Sequence, residues 1–378
     1  MLKNIAFIGA NPNSFSYNVN TPEAFATAGN NTGNYAFWNA VDTHIGGEKV
    51  YLGWNFNPKE IKEKYDVIVL PSSNFLHPER DMEVLSNKIE KTMLPVVVVG
   101  LGAQAPSENE KIQLKRGTIR FAHLIGERAK TIGVRGEYTA EVLSSLGVKN
   151  VEVIGCPSNL TNLDKDLGQK IELRIDALKS DSSKVKSILI NVDAHRGKFK
   201  KHFQLLHEKI KDHHYDIVCQ NPLELISLAR GEEFDIKNLH VKRQWETWCP
   251  GMTEDEFAFF VREKFVTFFN VNAWLEHARR FDISVGTRFH GNMLAFQSCV
   301  PSFFITHDAR TSELVHEMKL PTTSWENIEN GKIEDLVRDS NFDGHSYNQN
   351  RILKGNIYKK ILQSHNLPIN EKLFDFLK

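Results

Sequence analysis

Three short runs place basic groups where an anion could be held. Residues 286–291 read GTRFHG, with Arg288 and His290 two positions apart, between a glycine that stops an apolar strand and a glycine that opens a helix. In an extended turn residues i and i+2 point the same way, so both side chains can face one ligand. Residues 306–311 read THDART and add Arg310, with Asp308 beside it. Residues 133–138 read GVRGEY, and Arg135 again leaves a strand just before a helix. A guanidinium binds carboxylate or phosphate through two parallel hydrogen bonds, and a helix N-terminus adds free N–H groups and the positive end of a dipole. These runs therefore ask for a phosphate, a carboxylate or both, with His290 as the group able to move a proton. Each position also has a plainer reading. Arg135 could pair with Glu137 on the surface, and Asp308 or Thr311 could simply cap the helix that follows.

Two further runs offer uncharged polar groups. Gly9-Ala10-Asn11 and the NTGNY run with Asn31 and Asn34 leave amide side chains and backbone N–H groups ahead of a helix, suited to sugar hydroxyls or to a phosphate, or else to capping a turn. VGLGAQ, residues 99–104, puts glycines straight after an apolar strand, where a ligand can approach closely, and ends on Gln104.

The elements that must position these residues alternate. Apolar strands are expected at 4–9, 66–70, 95–100, 131–134 and 151–154, with helices over 31–41, 81–91, 108–125 and 137–146 between them. After a polar, lysine-rich connector the alternation restarts. Strands are expected at 187–192, 215–219, 283–285 and 303–305, and helices over 199–211, 221–230 and 312–318, with another contained within 266–280. Such alternation predicts an α/β protein with parallel sheets. The expected organisation is two Rossmann-like lobes facing a cleft, 1–160 and 161–345, with helices over 346–378 packing back on the first. Parallel sheets bind ligands at the carboxyl ends of their strands, where Arg135, Arg288 and Arg310 all fall.

Composition narrows the class. The 378 residues are 41% apolar and 25% charged, with 47 basic and 47 acidic side chains, so bulk charge gives no general affinity for nucleic acid. The N-terminus reads as a first strand rather than a signal peptide, and no apolar run is long enough to span a membrane, which predicts a cytoplasmic protein. Cys156, Cys219, Cys249 and Cys299 lack CxxC spacing, so a reduced set with no metal site is expected.

GVRGEYTAEVLSSLGVKNVEVIGCPS and VGTRFHGNMLAFQSCVPSFFITHDARTSEL together resemble the polysaccharide pyruvyl transferase family, as do the NTGN run and VGLGAQA. The likeness spans most of residues 5–318, while residues 195–265 carry none of the family's patterns. It implies a GT-B-like fold and a ketal-forming, phosphoenolpyruvate-dependent transferase of bacterial surface-polysaccharide, exopolysaccharide or capsule biosynthesis. The enolpyruvyl carbon would pass to two hydroxyls of one sugar. By position, Arg135, His290 and Arg310 match the family's donor-binding basic residues, with Arg288 in the same box. Arg310 stands where the family often has lysine, which keeps the charge and removes a titrating amine. His290 is then the candidate general acid and Asp308 the candidate base. Asn11, Asn31, Asn34 and Gln104 are the acceptor-side candidates, on the first lobe, with the donor on the second. The expected partners are phosphoenolpyruvate as co-substrate and a sugar acceptor that is lipid-linked (hence peripheral membrane proximity), nucleotide-linked or an oligosaccharide. No cofactor and no metal are called for. Two alternatives stand beside this reading. One is a GT-B glycosyltransferase using a nucleotide sugar, with Glu313 as a candidate for the ribose; the other is a non-catalytic sugar-binding protein of the same fold.

Overall fold

The structure is a computed structural model and describes residues 4–13, 16–107, 110–192, 200–233 and 238–378. Within them the apolar runs become strands. The first half forms β1 (Ile5–Phe7), β2 (Lys49–Tyr51), β3 (Val67–Pro71), β4 (Val96–Leu101), β5 (Ile132–Val134) and β6 (Val151–Val153). The second half forms β7 (Ser187–Ile190), β8 (His214–Val218), β9 (Phe265–Val266), β10 (Ile283–Gly286), β11 (Ser302–Ile305) and β12 (Thr322–Thr323). Each set pairs as one six-stranded sheet, in the order β2-β1-β3-β4-β5-β6 and β12-β11-β10-β7-β8-β9. Every strand pairing between them is parallel. The fold is α/β, two Rossmann-like sheets in a GT-B-like arrangement. β3 and β4 are buried along their whole length, as β-branched runs covered by helices on both faces must be.

The helices differ from expectation chiefly at their starts. Residues 108–109 and 199 lie outside the described set, and from the described residues those helices run Arg116–Arg128 and Lys200–Ile210. The helix expected within 266–280 is there, as Val271–Ala278. Phe265 and Val266 pair with β8 instead, and Asn270 caps the helix by accepting the Ala273 N–H at 3.0 Å. The helix of the NTGNY run starts at Asn34, one residue after Gly33.

The chain's last long helix, Gly344–Ser364, lies against helix Leu167–Ser180 and reaches β4 and β5. Its Tyr347 hydroxyl donates to Asn159 Oδ1 at 2.8 Å, and Asn348 Oδ1 accepts the Gly168 N–H at 2.9 Å. The tail is thereby tied to the segment that joins the two sheets. No helix among the described residues is long and apolar enough to cross a membrane.

Candidate active site

In an open parallel sheet the strand order reverses at one place, and the loops leaving the carboxyl ends on either side open a crevice. In the first sheet that place lies between β1 and β3, and in the second between β7 and β10. The two crevices share a cavity of about 640 Å³. Its walls include residues that follow strands of both sheets: Ser73 and Asn74 after β3, Gln104 after β4, Asn221 after β8, Arg288 after β10 and Arg310 after β11. A larger and more open depression of about 870 Å³ lies beside β12, but none of the three arginines singled out in the sequence lines it.

Arg288 is the N-cap residue of helix Phe289–Gln297. The turn that carries it is held by close backbone approach. A Cβ on Gly286 would stand 1.8 Å from the Asn191 carbonyl oxygen, which also accepts the Arg288 N–H at 2.8 Å. One Arg288 Nη donates to Asn221 Oδ1, which aims the guanidinium along the cavity wall. Arg310 sits in the first turn of helix Ala309–Glu317. Its Nη2 is 3.7 Å from Asp308 Oδ2, while its Nε is buried with no hydrogen-bond partner.

Arg135 is only 1% exposed and lies beneath the cavity rather than in its wall. Its Nε donates to the Gly100 carbonyl at 2.8 Å and an Nη to the Ser72 carbonyl at 3.4 Å, so it ties the ends of β3 and β4 together. The surface pair with Glu137 does not form, because Glu137 is exposed and Arg135 turns inward. Burial above all pulls the Arg135 pKa down, to about 10, which leaves it charged at neutral pH.

His290 occupies the first turn of helix Phe289–Gln297, between the rings of Phe37 and Phe289 at 5.3 and 5.4 Å. Its Nε2 is 3.6 Å from the Cys156 sulfur. Burial, then the charges of Arg135, Arg310 and Arg288, hold its pKa well below the usual histidine value, so the resting imidazole is neutral.

Asp308 is the N-cap of helix Ala309–Glu317. Its Oδ1 accepts the Thr311 N–H at 2.9 Å and the Thr311 hydroxyl at 2.8 Å, and its Oδ2 accepts from Gln104 at 3.3 Å. Burial alone would raise its pKa, but Arg310, His307 and Thr311 outweigh that and lower it. A carboxylate this well satisfied and this firmly ionised suits capping and the orientation of Arg310 better than proton abstraction.

On the first-lobe side, Asn31, Asn34 and Gln104 line the cavity. Asn31 accepts the Gly33 N–H at 3.0 Å, Asn34 donates to the Ala28 carbonyl at 2.9 Å, and Gln104 accepts from the Asn74 amide. Asn11 does not line it. The indole of Trp38 lies over Gly9, where a Cβ would be 2.9 Å from the indole nitrogen, and this covers the end of β1; Asn11 accepts from the Asn13 N–H instead.

Sequence reasoning missed Arg80, Trp38, Trp54, Asn74 and Asn221, all lining the cavity. Arg80, Asn74 and Asn221 follow β3 and β8, so scanning every loop after a strand's carboxyl end would have found them. The Arg80 side chain is still reached by solvent, yet surrounding protein, and then the charge of Arg310, lower its pKa. Trp54 is 38% exposed and stands edge-on to Phe75, which is edge-on to Phe121 in the core. Around the cleft, Trp38 Nε1, Thr32 Oγ1, Asn191 Oδ1, Gln220 Nε2 and Arg310 Nε are buried without a hydrogen-bond partner among the described residues, an unusual concentration for groups that normally find one.

The lobes also touch directly. The Thr32 N–H donates to the Gln220 carbonyl at 3.1 Å, and the Ala309 N–H to the Ala105 carbonyl at 3.2 Å. The buried Glu313 carboxylate accepts the Thr139 N–H at 3.1 Å and its hydroxyl at 2.8 Å, at the N-terminus of helix Glu137–Ser145.

A family model described as polysaccharide pyruvyl transferase matches residues 31–309. No curated protein sequence matches the chain. Among solved structures, the chain is similar to MnaA of S. aureus in a co-structure with UDP, with a TM-score of 0.49 and 13% identity over 97% of each chain. It is similar to HepE of Anabaena in complex with UDP and glucose, at 0.48 and 9% over 96% and 98% of the two chains. It is also similar to UDP-GlcNAc 2-epimerase from Neisseria meningitidis bound to UDP-GlcNAc, at 0.46 and 12% over 96% and 100%.

Proposed function

The chain belongs to the polysaccharide pyruvyl transferase family, and on that premise we propose that it moves the enolpyruvyl carbon of phosphoenolpyruvate onto two hydroxyls of a sugar, forming a cyclic ketal and releasing phosphate. The observation that carries the reading is the cluster of cations on a polar cavity. Arg80, Arg288 and Arg310 line it and charged Arg135 lies beneath, while the nearby carboxylates of Asp308 and Glu313 are already engaged. A small molecule with a phosphate at one end and a carboxylate at the other is the ligand such a cluster balances.

The chemistry follows from that placement. A proton is added to the methylene carbon of the donor, and C2 becomes electron-poor. One sugar hydroxyl oxygen bonds to C2, the C2–O bond to phosphate breaks with its electron pair going to phosphate, and the second hydroxyl oxygen closes the ring. Of the two hydroxyl protons released, one restores the proton given to the methylene carbon and the other leaves with phosphate. Preorganised guanidinium groups stabilise charge on the departing phosphate. His290, buried among three of them, is the group that meets the donor with a proton. The first-lobe wall, with Trp54, Asn31, Asn34, Asn74 and Gln104, offers an aromatic face and amides that suit a sugar ring and its hydroxyls.

The glycosyltransferase alternative needs an acid free for a ribose, and Glu313 is buried against Thr139. The test is incubation with phosphoenolpyruvate and a panel of sugar acceptors, following phosphate release and acceptor mass. Phosphate release with a ketal product is expected. Tight nucleotide-sugar binding with no ketal product from any acceptor would overturn the reading.

A further inference from the structure

His290 has one hydrogen-bond partner among the described residues, and that partner is a thiol. Cys156 Sγ lies 3.6 Å from Nε2, and the Ser158 hydroxyl donates to the same sulfur at 3.0 Å. Ser158 is fully buried and Cys156 is 1% exposed, so neither can turn to water for an alternative partner. Among the described residues the Ser158 hydroxyl makes no other side-chain hydrogen bond. Nδ1 of His290 has no hydrogen-bond partner among the described residues and is not among their fully buried unpartnered atoms, so it is the ring nitrogen left for a ligand, although the 9%-exposed residue lies behind the cavity lining rather than in it.

Counting donors and acceptors leaves one arrangement that satisfies every buried group. If Nε2 carried the proton, sulfur would accept from both the ring and the Ser158 hydroxyl, and the S–H proton would be left in the core without an acceptor. If instead serine donates to sulfur and the S–H donates to Nε2, all three protons have acceptors, and the stronger acceptor of the pair, the imidazole nitrogen, receives the thiol proton. We propose that Ser158 and Cys156 form a relay that locks His290 as the Nδ1–H tautomer, so that the ring presents an N–H, not a lone pair, on its open side. Cys156 is thus a positioning residue that acts through His290.

The relay also deepens the proposed reaction, and that part rests on the pyruvyl-transfer reading. As the Nδ1–H bond breaks and a C–H bond forms at the donor's methylene carbon, the S–H bond breaks and an N–H bond forms at Nε2. The imidazole changes tautomer without ever becoming an anion. The electron pair of the S–H bond stays on sulfur, whose negative charge is met by the buried Arg135 guanidinium, with which it interacts. A hydroxyl proton from the acceptor then bonds to Nδ1 as the Nε2–H bond breaks and that proton returns to sulfur, so both the imidazole and the thiol regain their starting states.

The lock is read on the full-length protein without any substrate. Nitrogen chemical shifts of 15N-histidine-labelled protein distinguish a protonated from an unprotonated ring nitrogen, and the His290 signals are assigned by their loss in His290→Gln. The expected spectrum has a protonated Nδ1 and an unprotonated Nε2 at His290. Cys156→Ser should keep that pattern, because a hydroxyl can replace the thiol as donor, whereas Cys156→Ala should mix the tautomers. With phosphoenolpyruvate and an acceptor, Cys156→Ala should lower kcat on the order of 100-fold, the lower end of general acid–base effects, with little change in the donor KM and with partial rescue in Cys156→Ser. A protonated Nε2 in the wild-type protein, or an unaltered His290 spectrum in a Cys156→Ala variant that still unfolds cooperatively, would overturn the relay. The expected spectrum together with no turnover on any acceptor would leave the lock standing and count against the pyruvyl-transfer reading instead.

Discussion

At the scale of single residues, the site is organised by what each polar group already touches. Arg288 holds Asn221 with one Nη and lines the cavity with a planar fork whose paired donors a lysine ammonium cannot copy. Arg288→Lys is therefore expected to weaken phosphoenolpyruvate binding by roughly ten-fold or more, the value of about one charge-assisted hydrogen bond, with the melting temperature little changed; titration calorimetry checks it. His290→Gln should abolish turnover while leaving the fold intact, since the ring is packed by Phe37 and Phe289 and an amide of similar reach can still meet Cys156. Turnover within a few-fold of wild type would remove His290 from the chemistry. Types and spacing were enough to single out Arg288, His290 and Arg310, because all three fall within a few residues of a strand end. They were not enough to separate Arg135, which lies under the site bound to two carbonyls, from the arginines in the wall, or to decide between the cap and the base that Asp308 offered. Those distinctions depend on partners far away in the chain.

At the scale of elements, legibility followed burial. The strands covered on both faces, β3 and β4 above all, carry unbroken apolar runs and stand out in the sequence. The three that were not foreseen, β2, β9 and β12, are all sheet edges of two or three residues, two of them with exposed positions. An edge strand packs on fewer neighbours, so its side chains need not be apolar, and its identity is set by the strand it pairs with. Helix ends show a related effect. Asn270 and Asp343 begin helices through side-chain caps that override where the apolar periodicity starts. The element-level contact with most consequence for the cleft is Glu313, which reaches from helix Ala309–Glu317 to the N-terminus of helix Glu137–Ser145. Glu313→Ala would leave the Thr139 N–H without an acceptor and remove a tie between the lobes. A loss of about 1–3 kcal/mol of stability is expected, measured by denaturant unfolding, together with a raised KM for the proposed donor, because the cavity is walled by loops of both lobes.

At the scale of the whole molecule, buried histidines should make stability depend on pH in a definite direction. His44 and His365 are both held down to about 4, the first by burial against the opposing pull of the Leu160 carbonyl and Asp42, the second by burial and then Lys130. In the unfolded chain each would titrate near 6.5. Between those values the unfolded state binds more protons, so stability is complete above pH 6.5 and falls as the pH drops toward 4, by about 1.4 kcal/mol per pH unit for each group. Thermal unfolding from pH 7 to pH 4.5 should show a steep fall in melting temperature, and His44→Gln should flatten it; an unchanged slope would mean that His44 is not the group responsible. The same contrast between local and global information runs through the protein. The sequence by itself determined the α/β class, two parallel sheets and the family, because hydrophobic periodicity and the strand-end boxes are local patterns. Only the tertiary structure decided which of those boxes form one site. The strand orders that put β1 beside β3 and β7 beside β10 come from pairings between segments distant in the chain, and they bring Arg80, Trp54 and Asn221, from the ends of three different strands, to one cavity. The protonation of His290 was decided there too, since it depends on three arginines from both lobes and on a thiol 134 residues away.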